Sequence, residues 1–268
     1  IEDLERRWSR FRPDSEISQV NQHAGSPVIV SAPTFDLVVR AVDGWHETDG
    51  RFDPTVHDAL VASGYDRTFD EVHTRATTAV AAPVPAPGAQ DIGLDPELRA
   101  ITLPPGTRLD LGGIGKGAAA DLVTERMRAR GCDGVCVSIG GDARVRGASP
   151  LGPTWPLTLR TDDGLTRVIE TADGAACTST IRRRTWPTAT GSAHHLIDPA
   201  TGRPTETDLT TVTVCAENAA DAEVLTKSAI VLGAAAAARD LESRGLDAVL
   251  ETRDGEVVEV GRIAAMAA

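Results

Sequence analysis

Large side chains are scarce in this chain: 268 residues include one tyrosine, four phenylalanines and four tryptophans. Trp8, Trp45, Trp155 and Trp186 are therefore expected to carry much of the bulky packing, as core filler rather than as a cofactor box. Basic charge is also short. Lys and Arg number 27 against 39 Asp and Glu, a net charge of −12, and the one basic run is Arg182-Arg183-Arg184. A nucleic-acid binder needs a basic face, so that class is excluded. No apolar stretch reaches about 18 residues, which leaves no transmembrane helix. The alanine run at 234–238 is too short and leads into Arg239-Asp240. Cysteine is limited to Cys132, Cys136, Cys177 and Cys215, with no C-x-x-C and no Cys/His quartet. That spacing excludes a zinc site and a disulfide framework. The thiols read as reduced and mostly buried, which points to the cytoplasm. Neither G-x-S-x-G nor H-E-x-x-H occurs.

Glycine, by contrast, is concentrated where it matters. Asp110-Leu-Gly-Gly-Ile-Gly-Lys116-Gly places four glycines and a lysine at a helix start. Such a turn offers backbone N–H groups and a positive dipole end, both favourable to a phosphate or diphosphate. It is not a nucleoside-triphosphate loop: Asp110 stands where the first glycine belongs, and Gly117 where Ser or Thr would hold the metal. The dinucleotide fingerprint fails as well, because the glycines fall at 112, 113, 115 and 117. A turn that only lets a helix pack closely is the alternative reading. Downstream, His194-His195-Leu-Ile-Asp198-Pro-Ala-Thr-Gly202 reads as a strand end and turn, with an imidazole and a carboxylate three residues apart.

A coarse pass gives an α+β order. Ser31 caps a helix with Pro33 in its first turn and an apolar stripe of Val38, Ala41, Val42 and Trp45. Residues 72–98 are rich in Ala and Pro and are expected to form a surface excursion. Strands are expected at 99–103 and 107–111, followed by the glycine turn and a helix to about Arg130. Antiparallel strands follow at 134–139, 143–147, 155–161 and 166–171, with Asp162-Asp-Gly164 as a hairpin turn. A strand at 209–216, an Asn218-capped helix ending at Gly233, a helix at 234–244 and a hairpin across Asp254-Gly255 complete the order.

In sequence order, these motifs resemble the ApbE family of flavin transferases (FAD:protein FMN transferases). The matching strings are Phe11-Arg-Pro-Asp-Ser-Glu16-Ile-Ser-Gln-Val-Asn21, Thr48-Asp-Gly-Arg-Phe-Asp53-Pro-Thr-Val, Asp110 to Gly117, Ser138-Ile-Gly-Gly-Asp142, His195 to Gly202 and Ile230-Val-Leu-Gly233. They span residues 11 to 233, and six in the right order are far more specific than any one. The resemblance implies one ApbE-like domain over 1–268, a T-fold-like α+β unit of mainly antiparallel sheet with helices and a flavin cleft between lobes. The family's early strand and "M-G-T" string have no counterpart. An upstream export signal or lipid anchor, and with it an envelope location, stays open.

The implied chemistry cuts FAD at its diphosphate, passes FMN to a Thr or Ser hydroxyl of a target protein, and releases AMP. Phosphoryl-type transfer rests on positioning and charge stabilisation. By family position, Phe11 lies near the flavin, and Arg51, Phe52 and Asp53 line the dinucleotide site. Asp110 and Lys116 contact FAD, and Thr178 and Ile197 also belong to the cofactor-binding strings. Lys116 is in addition a charge clamp. His195 is the candidate base for the target hydroxyl, because imidazole suits proton transfer near neutral pH, and Asp198 is the candidate to orient it. The blander readings are a solvated helix lysine for Lys116, turn-makers for Asp53, Asp110 and Asp198, a buried hydrogen-bonded imidazole for His195, and a structural role for Asp142.

The metal position departs from the family. An Asp and a Thr four residues on, with a carbonyl of the glycine turn, would hold Mg²⁺. Here the places fall on Glu223, Lys227 and Gly113. A lysine repels Mg²⁺ where a hydroxyl would bind it, and Glu223 and Lys227 share a helix face with the favoured order for an ion pair. Either the ammonium replaces the metal, or the site binds or hydrolyses FAD without efficient transfer. An unrelated α+β hydrolase or interaction domain is the remaining class.

Overall fold

The computed structural model describes residues 1–161, 164–189 and 191–266. The expected turn at Asp162-Asp-Gly164 lies, except for Gly164, outside the described residues. The chain divides into two compact units: residues 1–115 with 181–206, and residues 116–180 with 207–268.

In the first unit, helices Glu2–Trp8, Glu16–Gln22, Ala32–Glu47, His57–Ala62 and Phe69–Val72 accompany a three-stranded antiparallel sheet of Pro27–Ile29, Ala100–Thr102 and Gly93–Asp95. Two short hairpins, Thr185–Thr188 with Gly191–His194 and Ile197–Asp198 with Arg203–Pro204, come from the second stretch of chain. Ser15 caps its helix by accepting from the Ser18 N–H at 3.0 Å. Ser31 precedes the Ala32–Glu47 helix, but its hydroxyl donates to Glu16 at 2.7 Å and gives no side-chain cap to its own helix. The buried face of that helix is Thr34, Phe35, Leu37, Val38, Ala41 and Gly44, while Val42 and Trp45 are half-buried. Around Trp186, whose indole N–H donates to the Ser63 carbonyl at 2.9 Å, pack Leu60, Tyr65, Val72, Ala193 and Ile197.

The expected strand at 107–111 is not formed. The backbone of Leu109 bonds the Asn21 side chain in both directions, N–H to Oδ1 at 2.7 Å and carbonyl to Nδ2 at 2.9 Å. The Asp110 N–H goes to the Pro54 carbonyl. An asparagine amide thus supplies what a neighbouring strand would have supplied.

The second unit is built on a six-stranded antiparallel sheet. Its order is Val257–Val260, Asp247–Thr252, Leu209–Ala216, Asp173–Thr180, Asp142–Gly147, Gly134–Ile139. Alternation along these strands gives two faces. Val135, Val137, Ala175 and Cys177 pack with Ala120 of helix Gly115–Ala129 and with Ala219 and Ala222 of helix Ala219–Leu232. Val145 and Ala176 pack with Leu157 and Ile169 of a second sheet, which contains Trp155–Arg160, Thr166–Thr171 and Ala264–Met266. Asn218 caps the Ala219–Leu232 helix by accepting from the Asp221 N–H at 3.0 Å, and Gly233 follows it at φ 77°. Helix Ala234–Ser243 comes next. The strand Asp173–Thr180, central in the sheet, was not foreseen, because DGAACTST lacks large β-formers. Its small side chains leave room for the helix, and the Cys177 thiol donates to the Ala219 carbonyl at 3.2 Å.

All four cysteines are free, but only Cys177 is buried; Cys132 and Cys215 are half-buried and Cys136 is exposed. The expectation of mostly buried thiols is corrected on that point. Cys136 lies on Gly134–Ile139, one of the two edge strands of the sheet.

Burial pushes the Glu16 carboxyl up, but hydrogen bonds from Thr34 and Ser31, with Arg7, outweigh it and hold the group below its ordinary range. A depressed carboxylate stabilises the fold above its unfolded pKa and loses that contribution as pH falls through the folded value. Glu16→Gln is expected to cost about 1 kcal/mol at neutral pH. Thermal melts at pH 7 and in the acid range should show the gap from the native protein closing below about pH 4.

Candidate functional site

Each unit carries one cluster of the predicted residues. In the first unit, Asp110 is buried and bound on both sides. Its Oδ2 meets the Arg10 Nε at 2.6 Å, and its Oδ1 accepts from the Gly112 N–H at 2.7 Å. Arg10 lies 4.2 Å from the Phe11 ring centroid and 4.8 Å from that of Tyr65, and donates to the Tyr65 carbonyl at 2.7 Å. Phe11 is 38% exposed and tilted against Tyr65, which in turn lies 5.2 Å from Trp186. The glycine turn thus enters its helix from a carboxylate fixed by a guanidinium inside an aromatic group. Sequence reasoning found Phe11 and Asp110 but missed Arg10 and Tyr65. Arg10 sits directly before the first matched string, and Tyr65 is the chain's lone tyrosine.

Phe52 and Asp53 are buried, and Arg51 is half-buried and pairs with Asp49 at 3.2 Å. Asp53 accepts from the Thr55 N–H at 2.7 Å, the Thr55 hydroxyl at 2.6 Å and the Trp45 indole at 3.1 Å. Burial raises its pKa in spite of these three donors. Asp198 bonds within its own turn, accepting from the Ala200 N–H at 3.0 Å and the Thr201 hydroxyl at 3.0 Å. His195 is half-buried with its Nδ1 enclosed, and Ile197 is buried. Gly113 is half-buried in the turn before the helix.

In the second unit four ionic side chains meet. Glu223, with no exposed surface, accepts from the Lys116 Nζ at 2.7 Å, the Lys227 Nζ at 3.2 Å and the Gly117 N–H at 2.8 Å. Lys116 also pairs with Asp142, whose second oxygen accepts from the Thr178 N–H at 2.9 Å. Thr178 is itself exposed, its hydroxyl 2.9 Å from that of Thr213. Burial pushes the Glu223 carboxyl up, but Lys227, Lys116 and the Gly117 amide hold it well below the usual range. Burial pulls Lys116 down, yet Glu223 and Asp142 raise it on balance. Lys227 is lowered, by burial first and by Lys116, against the pull of Glu223. The expected Glu223–Lys227 pair is present. The partnership of Lys116 with Asp142 and Glu223 was not foreseen.

The divalent cation that the resemblance implies does not fit these residues. Glu223 and Asp142 already face two ammonium groups and two backbone N–H donors, and the position for a hydroxyl ligand holds Lys227. Among the described residues no group of three or more His, Cys, Asp or Glu is placed to hold a metal ion.

The comparisons with known proteins settle the family. Residues 1–250 match the model described as the ApbE family. The chain belongs to the ApbE family. A Treponema pallidum protein named FAD:protein FMN transferase is 29% identical over 256 residues, 84% of this chain and 67% of that protein. In fold, this ApbE chain matches a crystal structure of the ApbE protein from Thermotoga maritima with a TM-score of 0.84, at 24% identity, covering 96% of this chain and 85% of the other. The apo form of the Pseudomonas stutzeri flavinyl transferase ApbE gives 0.80, also at 24% identity, covering 99% and 83%. The α+β class of mainly antiparallel sheet with helices agrees with both.

The glycines of the ApbE turn are not equivalent. A Cβ at Gly117 would collide with the Ala219 carbonyl and the Ala220 nitrogen, whereas one at Gly115 meets nothing within 4 Å. Gly117→Ala is therefore expected to cost several kcal/mol by forcing the two helices apart. Gly115→Ala should change stability by under about 1 kcal/mol. Denaturant titration of the two variants separates these outcomes.

Lys116→Ala leaves Asp142 and Glu223 buried without their shared cation, a loss of about 3–5 kcal/mol. Urea unfolding at neutral pH measures it.

Proposed function

We propose that this chain is an FAD:protein FMN transferase, which cuts FAD at its diphosphate, transfers FMN to a Thr or Ser hydroxyl of a target protein and releases AMP. The observation that carries this reading is family membership across residues 1–250, together with a relative of that name aligned over 84% of the chain. The chemistry of the residues is consistent with it. Transfer of a phosphoryl-type group asks for fixed positive charge where negative charge develops. Lys116 offers an ammonium at the first turn of a helix, where the positive end of the helix dipole adds to it. Asp142 and Glu223 hold that ammonium in one place, so little reorganisation accompanies the reaction. His195 supplies an imidazole that can accept the proton of the attacking hydroxyl, leaving an alkoxide-like oxygen to form the new P–O bond as the bond to AMP breaks. The Asp198 turn closes the hairpin of Ile197–Asp198 with Arg203–Pro204, which begins two residues after His195. Phe11, near the flavin by family position, presents a partly exposed side chain.

Incubation with FAD and a threonine-bearing protein or peptide substrate, read by mass spectrometry, should show the gain of one FMN moiety with stoichiometric AMP. His195→Ala should lower the transfer rate by about 10²- to 10⁴-fold, the range typical of a lost general base, while FAD binding measured by equilibrium dialysis changes little. FAD bound intact with no adduct on any hydroxyl substrate would count against the reading.

A further inference from the structure

In formal charge the four ionic groups around Lys116 add up to zero, two lysines against the two carboxylates of Asp142 and Glu223. Each of the four carboxylate oxygens faces a donor. Glu223 Oε1 takes both ammonium groups, Glu223 Oε2 the Gly117 N–H, Asp142 Oδ1 the Thr178 N–H and Asp142 Oδ2 the Lys116 ammonium. A buried carboxylate cluster requires compensating cations, which can come from an ion or from the chain itself. Here the chain provides them. A divalent ion entering this cluster would raise its charge to +2 and would have to displace N–H donors from oxygens they already satisfy.

We infer that Lys227 is a built-in replacement for the divalent cation, so that this chain handles the diphosphate of its dinucleotide substrate without Mg²⁺. The inference rests on the transferase reading for its substrate but not for its test. Lys227 lies one helical turn after Glu223 on the buried side of helix Ala219–Leu232, its ammonium 3.2 Å from the Glu223 carboxylate. A lysine tethered there is present at full occupancy whatever the metal supply. Neutralising position 227 leaves a net charge of −1 beside a buried carboxylate, which opens the same place to a cation.

The test is thermal unfolding of the full chain in EDTA, in Mg²⁺ and in NaCl of matched ionic strength, with no flavin added, for the native protein, Lys227→Thr and Lys227→Met. A bound ion in excess of its Kd raises the melting temperature by a few degrees in a chain of this size. The native protein is expected to melt alike in all three solutions, and Lys227→Thr to gain a Mg²⁺-specific rise. A Mg²⁺-specific rise in the native protein overturns the inference, as does a Lys227→Thr protein that folds but ignores Mg²⁺. Lys227→Met keeps the packing volume and answers in its place if the threonine variant fails to fold. FAD turnover, followed as AMP release, gives a second reading: equal rates within about twofold in EDTA and Mg²⁺ are expected, and a tenfold loss in EDTA overturns it. Absence of turnover in both solutions counts against the transferase reading alone, because the melting series still decides the role of Lys227.

Discussion

The second unit depends on one shared cation. Lys116 joins Asp142, from the strand Asp142–Gly147, to Glu223, from the helix Ala219–Leu232, while itself rising from the first turn of the helix Gly115–Ala129. Three elements far apart in sequence meet at one ammonium. Their side-chain charges are taken out of water, which costs several kcal/mol per ion unless each is paired and hydrogen-bonded. The pairing here is complete on the carboxylate side, and the surrounding backbone contributes the Gly117 and Thr178 N–H groups. Such an arrangement adds less to net stability than an apolar core of equal volume. It does fix the position of a charge, and fixed charge is what stabilises a transferring phosphoryl group.

Close packing and charge placement are coupled through Gly117. Its missing side chain lets the two helices approach until the Ala219 carbonyl lies against the Gly117 backbone, and the same approach brings its N–H within 2.8 Å of Glu223. The turn therefore bears out the close-packing reading, and it also sets up an electrostatic centre at the helix start. Its amides, however, are less bare than a phosphate loop requires. Those of Gly112, Ile114, Gly115 and Gly117 all bond within the chain.

Local pattern revealed much of the fold. Alternation in GVCVSI and LTTVTVCA marked the strands 134–139 and 209–216, and Asn218 and Gly233 marked the ends of the helix between them. The strand Asp173–Thr180 escaped because a central strand pressed against a helix needs small residues, and small residues carry little β signal. The segment 107–111 was misread because Leu-rich alternation looks the same whether a strand or an asparagine side chain satisfies the backbone. At the site, the i, i+4 pair Glu223–Lys227 was legible because both ends lie on one helix. Lys116 and Glu223 are 107 residues apart, and nothing local to either announces the other. The carboxylates Asp53, Asp110 and Asp198 all bond their own turns, as the turn-maker reading had it, whereas the distant partners Arg10 of Asp110 and Trp45 of Asp53 were not legible.

The aromatic group of the first unit has an optical consequence. Tyr65 is the chain's single tyrosine, and its ring lies 5.2 Å from the almost fully buried indole of Trp186. At that separation excitation energy absorbed by the phenol passes to the indole, so tyrosine emission is extinguished in the folded chain. Its reappearance on denaturation reports the loosening of the first unit alone, without any introduced label, in a protein whose other three tryptophans would blur a total-fluorescence reading.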